Sequence, residues 1–394
     1  MGVLAGVRLR ARRGRIDIGA GVARSERLIA QGRPEEGESA LRELLTACET
    51  KLRPDDRRWV SVRLALGTAQ LALNRPQEAL PIVTTALAEA ERHRGTQFAV
   101  IPPLRSLVVL VSVLAGRHAE AADAAKRMEQ AYGGGRDLEV LLPRYHLRGR
   151  WLQNLVLYCT GRFREGLDAG SALLPDMIAA LGADHTDVSQ HRLLRSAHLA
   201  ALGRAGEALA ECETVIATEA RLAAAGRPDP GDRYDAYEQL ACCLLEAGRP
   251  QEAEEAVRRV LAEAEDLKGP YSHHAGVLRR ALAAALIAQG RYEAALPLLD
   301  GPAVWGCYDA GRHQMLLSEA LHGLGRTGRA EAAANEALQA ATVLFAPGHP
   351  RVLQIRTLLA RIRASPAEMR TVAADWASHL GPDHPGTRAA REAC

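Results

Sequence analysis

The chain has 394 residues, 47% of them hydrophobic but only 4% aromatic, and a formal net charge of +3 from 50 basic and 47 acidic residues. This balance excludes a surface dominated by one sign of charge, which a general affinity for nucleic acid or membranes would require. The apolar mass comes mainly from Ala, Leu and Val, the residues of closely packed helices. The composition therefore predicts an all-α protein.

The first 20 residues are rich in Arg and lack helical periodicity, and their arginines follow an apolar stretch, which is the reverse of a secretory signal. We expect residues 1–20 to form a basic, disordered arm. No later window approaches the roughly 18 uncharged apolar residues of a membrane span. The seven cysteines are scattered without a C-x-x-C pair, so no zinc or redox motif is predicted and a reducing cytoplasm is the expected location.

A helical apolar run followed by a Gly-Arg turn recurs along the chain, and a Gly or Ala stands five residues after each turn. Successive turns are 35 to 45 residues apart. Gly, with Asn as its substitute in one turn, tolerates the left-handed backbone conformation that ends a helix. Apolar residues eight and four positions before the turn form a stripe that faces the core. The pattern predicts antiparallel helix pairs with eight turn residues: Gly32, Asn74, Gly116, Gly161, Gly203, Gly248, Gly290 and Gly325.

The regular spacing is interrupted at two points. Three consecutive glycines at 133–135 separate the third and fourth repeats, and we expect a flexible joint there. The Gly-Pro pair at 301–302 lies in the shortest interval and is expected to cut its second helix short. Residues 21–394 are predicted to form a single solenoid, and the sequence stops shortly after a further first helix begins.

These helix pairs resemble the tetratricopeptide repeat, and the resemblance covers about residues 20–394. The interval exceeds the 34 residues of the short repeat, and the usual aromatic positions are mostly Leu or Val. About eight extra residues correspond to roughly two helical turns, as in the kinesin-light-chain type of repeat. A second motif, in which Arg stands seven residues after His, is similar to actinobacterial kinesin-light-chain-like repeats, often found as sensor arrays of signalling ATPases. Its histidines are His185, His349 and His384.

The resemblance implies a right-handed superhelical solenoid of about eight to nine repeats, in which the first helix of each pair lines a concave groove. Polar and aromatic residues on that face would contact a ligand, or would be ordinary solvated or inter-helix residues. The Lys and Asn residues of the chaperone-tail carboxylate clamp are missing at the matching positions, so that ligand is disfavoured. The candidate groove contacts are Trp151, Tyr158, Glu238, Arg280, Glu319 and His322.

Two recurring series of residues have both a functional and a structural interpretation. The three histidines of the second motif could bind a metal, but they are far apart in the sequence, so we favour capping and packing of the loops between repeats. An Arg eleven residues before each of five turns could form an anion-binding ladder or ion pairs with neighbouring acids, and we favour the ion pairs. These arginines are Arg63, Arg105, Arg150, Arg192 and Arg279.

The sequence contains no phosphate-binding loop, zinc-protease motif or nucleophile elbow. We therefore predict a non-enzyme with no catalytic residue, cofactor or metal. The expected partner is another protein or a peptide, rather than nucleic acid or a membrane. The leading hypothesis is an interaction scaffold that binds its partner in the groove. The alternative is a regulatory sensor, in which a peptide or small ligand changes the superhelix and thereby a signalling or transcription partner.

Overall fold

A computed structural model describes residues 16–30, 33–53, 56, 58–92, 100–132, 142–227, 232–269, 272–300 and 310–394. All regular secondary structure in these ranges is helical, which confirms the all-α prediction. A short 3₁₀ helix, Leu296–Leu298, follows α14. The α-helices are α1 Ile18–Ala30, α2 Pro34–Lys51, α3 Trp59–Ala72, α4 Pro76–Arg92, α5 Ile101–Leu114, α6 His118–Tyr132, α7 Leu142–Cys159, α8 Phe163–Leu181, α9 Thr186–Ala201, α10 Ala205–Ala224, α11 Asp232–Glu246, α12 Pro250–Lys268, α13 His273–Ala288, α14 Tyr292–Ala295, α15 Arg312–Gly323, α16 Thr327–Leu344, α17 Pro350–Ile362, α18 Pro366–Leu380 and α19 Pro385–Glu392.

The chain divides into two compact units, residues 1–128 and 129–394, which we call unit 1 and unit 2. Two regions named in the sequence analysis, the glycines at 133–135 and the Gly-Pro pair at 301–302, lie outside the described residues, as do residues 1–15 of the basic arm. The second helix after Gly290 is short for a reason other than the predicted Gly-Pro pair, because α14 ends at Ala295 just before Pro297, which cannot donate to a helical hydrogen bond.

Helices of unit 2 pack in antiparallel pairs, and the first helix of each pair also contacts the first helix of the next pair. The contacts α7–α9, α9–α11, α11–α13, α13–α15, α15–α17 and α17–α19 are of this second kind. The first helices therefore form an inner layer, with the second helices outside it. Unit 1 repeats the arrangement on a smaller scale, since α1 contacts both α2 and α3.

The turns between paired helices have the predicted left-handed residue. Where they are described, the turn glycines have φ between 71° and 78°, and Asn74 has φ 58°. At the fourth turn the N–H of Arg162 donates to the carbonyl oxygen of Leu157 at 2.9 Å, which satisfies the end of α7. A further turn joins α17 to α18 at Ala364, with φ 47°. The Gly-Arg pattern misses this ninth pair because its turn residue is Ala.

At six of the eight predicted turns a local ion pair follows the turn residue. The arginine after the turn reaches the Glu three residues later, for example Arg204 to Glu207 and Arg249 to Glu252, each at 2.6 Å. These pairs lie on the surface, where water screens them, so they contribute little to stability. They lie at the starts of α2, α4, α6, α8, α10 and α12.

Close approach within a pair is reinforced by a hydrogen bond that the sequence analysis did not identify. A polar side chain seven residues before the turn donates to the carbonyl oxygen of the small residue five residues after it. The distances are 2.8 Å for Ser25 to Gly37, 2.7 Å for Asn154 to Gly166, 3.0 Å for Ser196 to Ala208 and 2.7 Å for Ser318 to Ala330. Because these groups are buried, an unpaired one would be costly.

Gly166 is the one member of unit 2 in this small-residue series that is Gly rather than Ala, and His198 explains it. The His198 ring on α9 occupies the space in which a Cβ at residue 166 would lie. His198 Nε2 is 2.6 Å from Asn154 Oδ1, and Asn154 in turn donates to the carbonyl oxygen of Gly166. The ring is thus fixed by a buried chain of hydrogen bonds and cannot easily move aside.

Gly166→Ala is expected to destabilise the protein by about 1–3 kcal/mol, because the added methyl group overpacks the His198 contact. Gly206→Ala is the matched control, since a Cβ there meets nothing within 4 Å. Urea unfolding followed by circular dichroism measures both variants. A Gly166→Ala protein as stable as the Gly206→Ala protein would show that the His198 ring is not held as described.

Ala364→Gly is expected to stabilise the protein by about 0.5–1 kcal/mol, because Gly removes the Cβ penalty of the left-handed conformation. Ala367→Gly, three residues later in α18, should have the opposite effect, since Gly weakens an ordinary helical position by about 0.5–1 kcal/mol. The same unfolding measurement compares the two. A loss of stability in both would contradict a left-handed turn at Ala364.

Candidate functional site

The inner face of unit 2 carries a stripe of ionisable side chains on α11. Glu238, Cys242 and Glu246 are four residues apart and therefore lie on one side of that helix. Tyr158 of α7 and Arg351 of α17 are within electrostatic range of Glu246, and they lie two and three helix pairs away from α11 along the array. Side chains so distant in the array meet only across the space that the first helices enclose. We call that space, bounded by α7, α11, α13, α15 and α17, the lumen.

A buried ion pair stands on one wall of the lumen. Arg280 of α13 is 2% exposed and donates to Glu238 Oε1 from Nη2 at 2.7 Å and from Nε at 3.2 Å. Burial alone would raise the pKa of Glu238, but the neighbouring guanidinium groups of Arg280 and Arg312 lower it below its ordinary value. Glu238 is therefore ionised, and the pair gives this wall a fixed charge distribution.

Cys242 sits beside that pair. Arg312 Nη1 donates to Cys242 Sγ at 2.6 Å. Burial raises the pKa of the Cys242 thiol to about 11, against the lowering effect of Arg312. The thiol stays protonated at neutral pH, so it is a hydrogen-bonding group rather than a nucleophile.

Two further carboxyl groups project into the lumen, Glu246 from α11 and Glu319 from α15. Water reaches Glu246, yet protein surrounds it closely enough that desolvation raises the pKa of its carboxyl to about 7, while Arg351 and Arg312 act in the opposite direction. Desolvation likewise raises the pKa of Glu319, opposed by Arg361, Arg351 and Arg312. The combination of accessibility and desolvation is typical of the wall of an enclosed concave site.

The lumen is closed by contacts between the fourth and ninth helix pairs. The segment between α16 and α17 packs against the end of α7, where the N–H of Ala346 donates to the carbonyl oxygen of Cys159 at 2.9 Å. The Tyr158 ring centroid lies 5.0 Å from that of His349 and 6.1 Å from that of Phe345, which itself stacks on His349. We call this aromatic cluster, Tyr158, Phe163, Phe345 and His349, the closure contact.

A second contact of the same kind lies nearby. Pro385, at the start of α19, packs against the turn at Gly203, where a Cβ would lie 2.7 Å from Pro385 Cδ. The tenth first helix thus reaches the turn of the fifth pair. Unit 2 is therefore an array whose far end returns to its beginning.

The six residues predicted to face the groove lie in unit 2, and the structure brings some of them together. Glu238 and Arg280 form the ion pair, Glu319 lies on the lumen wall, and Tyr158 belongs to the closure contact. Trp151 is 5% exposed and lies under the Arg148 guanidinium, 4.1 Å from the ring centroid. His322 is partly buried on α15. Ligand contact by each of the six stays a prediction.

Sequence reasoning missed Cys242, Glu246, Arg312 and Arg351. The first two could have been found, because they continue the Glu238 stripe at intervals of four residues on one predicted helix. Arg312 and Arg351 carry no such signal. Their meeting with α11 depends on the return of the array, which no local pattern encodes.

The three loop histidines cap helices, which confirms the structural interpretation. In each case Nδ1 accepts the backbone N–H two residues later, at 3.1 Å, for His185, His349 and His384. Among the described residues no group of three or more His, Cys, Asp or Glu side chains could hold a metal ion.

The arginine series before the turns forms ion pairs with acids of the second helices. Arg105, Arg150 and Arg192 pair with Glu91, Asp176 and Glu211 at 2.7, 2.5 and 2.8 Å. Arg63 and Arg279 pair likewise with Glu89 and Glu265. The favoured interpretation, ion pairing within the array, is therefore confirmed.

No helix in the described part of the chain is both long and apolar enough to cross a membrane.

No protein-family model and no curated relative matches the chain. Among solved structures, a Rap protein complexed with competence and sporulation factor is 14% identical, with 91% of this chain and 99% of the Rap chain covered and a TM-score of 0.46. BtubC from P. vanneervenii is 16% identical over 65% of this chain and 94% of its own, with a TM-score of 0.43. A tetratricopeptide repeat protein from Parabacteroides merdae is 13% identical over 88% of this chain and 98% of its own, with a TM-score of 0.39.

The described helices form a tetratricopeptide-like array of antiparallel pairs. Its successive helix pairs, left-handed turns and inner layer of first helices have the architecture that the sequence predicted. The similarity to the solved structures concerns the fold.

Two buried histidines make this tetratricopeptide-like array sensitive to acid. His191 Nε2 lies 2.8 Å from the Gly170 carbonyl oxygen, and His198 Nε2 lies 2.6 Å from Asn154 Oδ1. Desolvation lowers the pKa of each imidazole to about 4. Both rings are neutral in the folded protein at neutral pH, whereas an unfolded chain would bind protons near pH 6.5.

The free energy of unfolding is therefore expected to reach its full value above pH 6.5. It should fall as the pH is lowered towards 4, by about 1.4 kcal/mol per pH unit for each histidine. Urea unfolding at pH 7 and pH 5 measures the difference. His191→Gln keeps a donor for Gly170 and should reduce the pH dependence, whereas His379→Gln, at an exposed histidine, should not. If the free energy of unfolding of His191→Gln changes with pH as much as that of the original protein, His191 does not take up a proton on unfolding.

Proposed function

We propose that this protein is a binding module that holds an extended segment of a partner protein or a peptide in the lumen of unit 2. The observation that carries the proposal is the set of ionisable side chains from α11, α13, α15 and α17 on the inner face of one closed array. Desolvating such groups opposes folding. Their concentration on one inner surface favours recognition of a polar ligand.

An extended segment suits this site better than a compact ligand. Helices of a repeat array present their contacts one after another along the inner layer, so a ligand gains affinity by following that layer. The rings of the closure contact are buried and close the array, while the Glu238 side chain, 17% exposed, is a fixed polar partner on the wall. Fixed polar groups of this kind set the orientation of a ligand.

Two side chains of the lumen that could act as nucleophiles are not activated. The Cys242 thiol has a raised pKa, and burial also raises the pKa of the Tyr158 hydroxyl, so neither group is activated as a nucleophile or base at neutral pH. We accordingly keep the prediction that the protein is not an enzyme.

A regulatory sensor is the second candidate, and the closure contact favours it. A ligand that fills the lumen must be accommodated between the fourth and ninth helix pairs, so its binding is coupled to the contacts of Tyr158 with Phe345 and His349. Small-angle scattering with and without saturating peptide distinguishes the candidates. A sensor changes its radius of gyration on binding, and a passive scaffold does not.

Glu246→Trp is expected to abolish peptide binding, because an indole at this water-accessible position fills the lumen without replacing a core residue. The probe is a phage-displayed library of random 12-residue peptides, selected on the intact protein and then measured by fluorescence polarisation. Glu255→Trp is the matched control, since Glu255 is also exposed but lies on the outer helix α12.

Peptides that lose at least tenfold in affinity with Glu246→Trp and keep their affinity with Glu255→Trp support the lumen as the binding site. Selected peptides that bind both variants as tightly as the original protein would move the site elsewhere. Failure to select any peptide would argue against the proposed function.

A further inference from the structure

The arginines of the five helices that enclose the lumen are bonded within the protein, with one exception. On α17, Arg351 Nη1 donates to Met315 Sδ at 3.8 Å, and Arg356 pairs with Asp375 of α18 at 2.7 Å. The arginines of α7, α11, α13 and α15 each donate to another described residue as well. Arg361 of α17 is the exception, because it makes no hydrogen bond or ion pair with any described residue.

Arg361 lies beside a carboxyl group of the lumen wall. Among the charges that act on Glu319 of α15, Arg361 has the largest effect, followed by Arg351 and Arg312. The helices that carry them, α15 and α17, pack against each other in the inner layer. Arg361 and Glu319 nevertheless form no ion pair with each other, and Arg361 is exposed to water. The guanidinium donors of Arg361 are therefore available to a ligand.

The charge around Glu319 is positive. The charges that act on this carboxyl are three guanidinium groups, and α17 contains three arginines but no Asp or Glu. A fully ionised Glu319 would offset only one of the three positive charges. Desolvation, which raises the pKa of Glu319, favours the neutral carboxyl and lessens even this offset. This part of the wall therefore attracts an anion rather than a cation.

We infer that the partner segment held in the lumen presents the carboxylate of an Asp or Glu side chain to Arg361. This inference rests on the proposed function and adds the chemistry of the ligand to it. A carboxylate suits the site well, because the planar fork of an arginine can bond both of its oxygens through charge-assisted hydrogen bonds. A segment that follows the inner layer passes Arg361 along its length, so a side chain within it can reach the guanidinium.

Peptides selected from the 12-residue library are expected to be enriched in Asp or Glu on the intact protein, and this enrichment should disappear on the Arg361→Gln variant. Because Arg361 is exposed, the substitution removes its charge without replacing a core residue. Arg329→Gln is the matched control and should keep the enrichment, since Arg329 is also exposed but lies on the outer helix α16. The same enrichment on Arg361→Gln as on the intact protein would overturn the inference.

One selected peptide and its analogue with Gln in place of the enriched acidic residue then test the contact directly by calorimetry. The analogue should bind about tenfold more weakly to the intact protein, as for the loss of a charge-assisted hydrogen bond, and hardly more weakly to Arg361→Gln. A tenfold loss in both proteins would mean that other residues recognise the carboxylate and that the inference is wrong.

The C-terminal carboxylate of the peptide is a second source of the same chemistry, and amidation distinguishes the two. The selected peptide with an amidated C-terminus should bind the intact protein as tightly as the free acid. If amidation weakens binding about tenfold and the Gln analogue binds normally, the contact belongs to the end of the peptide, which contradicts an Asp or Glu side chain.

Glu319→Gln gives a readout of the opposite sign. This variant removes a carboxyl that repels the ligand carboxylate beside Arg361, so affinity for the acidic peptide should rise by about threefold. Glu336→Gln on the outer helix α16 is the matched control, since Glu336 is exposed, and should leave the affinity unchanged. Weaker binding to Glu319→Gln would show that the carboxyl itself holds the ligand, and an anion contact at Arg361 would be excluded.

The inference and the proposed function fail differently. If selected peptides lose affinity with Glu246→Trp but show no preference for Asp or Glu, the lumen binds peptides and the inferred contact with Arg361 is wrong. If no selected peptide is sensitive to Glu246→Trp, both are wrong.

Discussion

Close approach of two helices just after each turn is the constraint on which the rest of this structure depends. A Gly or Ala five residues beyond the turn lets the second helix pack tightly on the first, and in four pairs its carbonyl oxygen accepts a buried side-chain hydrogen bond. Gly166 shows how strict the fit is, because the neighbouring His198 ring leaves no room for a methyl group. This packing sets the angle between pairs, and the repeated angle sets the course of the array.

The course of the array in turn creates the site. Because the fourth and ninth pairs of unit 2 meet, the first helices enclose a lumen instead of lining an open surface. The same closure desolvates Glu246, Glu319 and Cys242, whose pKa values rise together. The Glu238–Arg280 pair lowers the stability of the fold there, since the attraction between two buried charges rarely offsets the free energy of removing both from water. A function in recognition gives a physical reason to keep charged groups in such a place.

The architecture could be predicted because its signals are local. A left-handed residue ends a helix, an apolar stripe marks its buried face and a small residue allows a neighbour to approach, so eight helix pairs could be found from spacing alone. The ninth was missed because Ala364 adopts the turn conformation without the residue type that usually indicates it. The capping by His185, His349 and His384 was also a local matter, since each ring bonds a backbone N–H two residues away.

The site is different in kind. Periodicity placed Glu238, Arg280 and Glu319 on first helices, but it could not say which side chains from distant pairs would meet. Arg351 reaches the surroundings of Glu246, and Tyr158 reaches His349, only because small angles between successive helix pairs add up until the array returns on itself. An angle of that kind depends on the packing of every pair in between. Local chemistry therefore specified the helices and their pairing, and long-range packing decided which charges share one enclosed space.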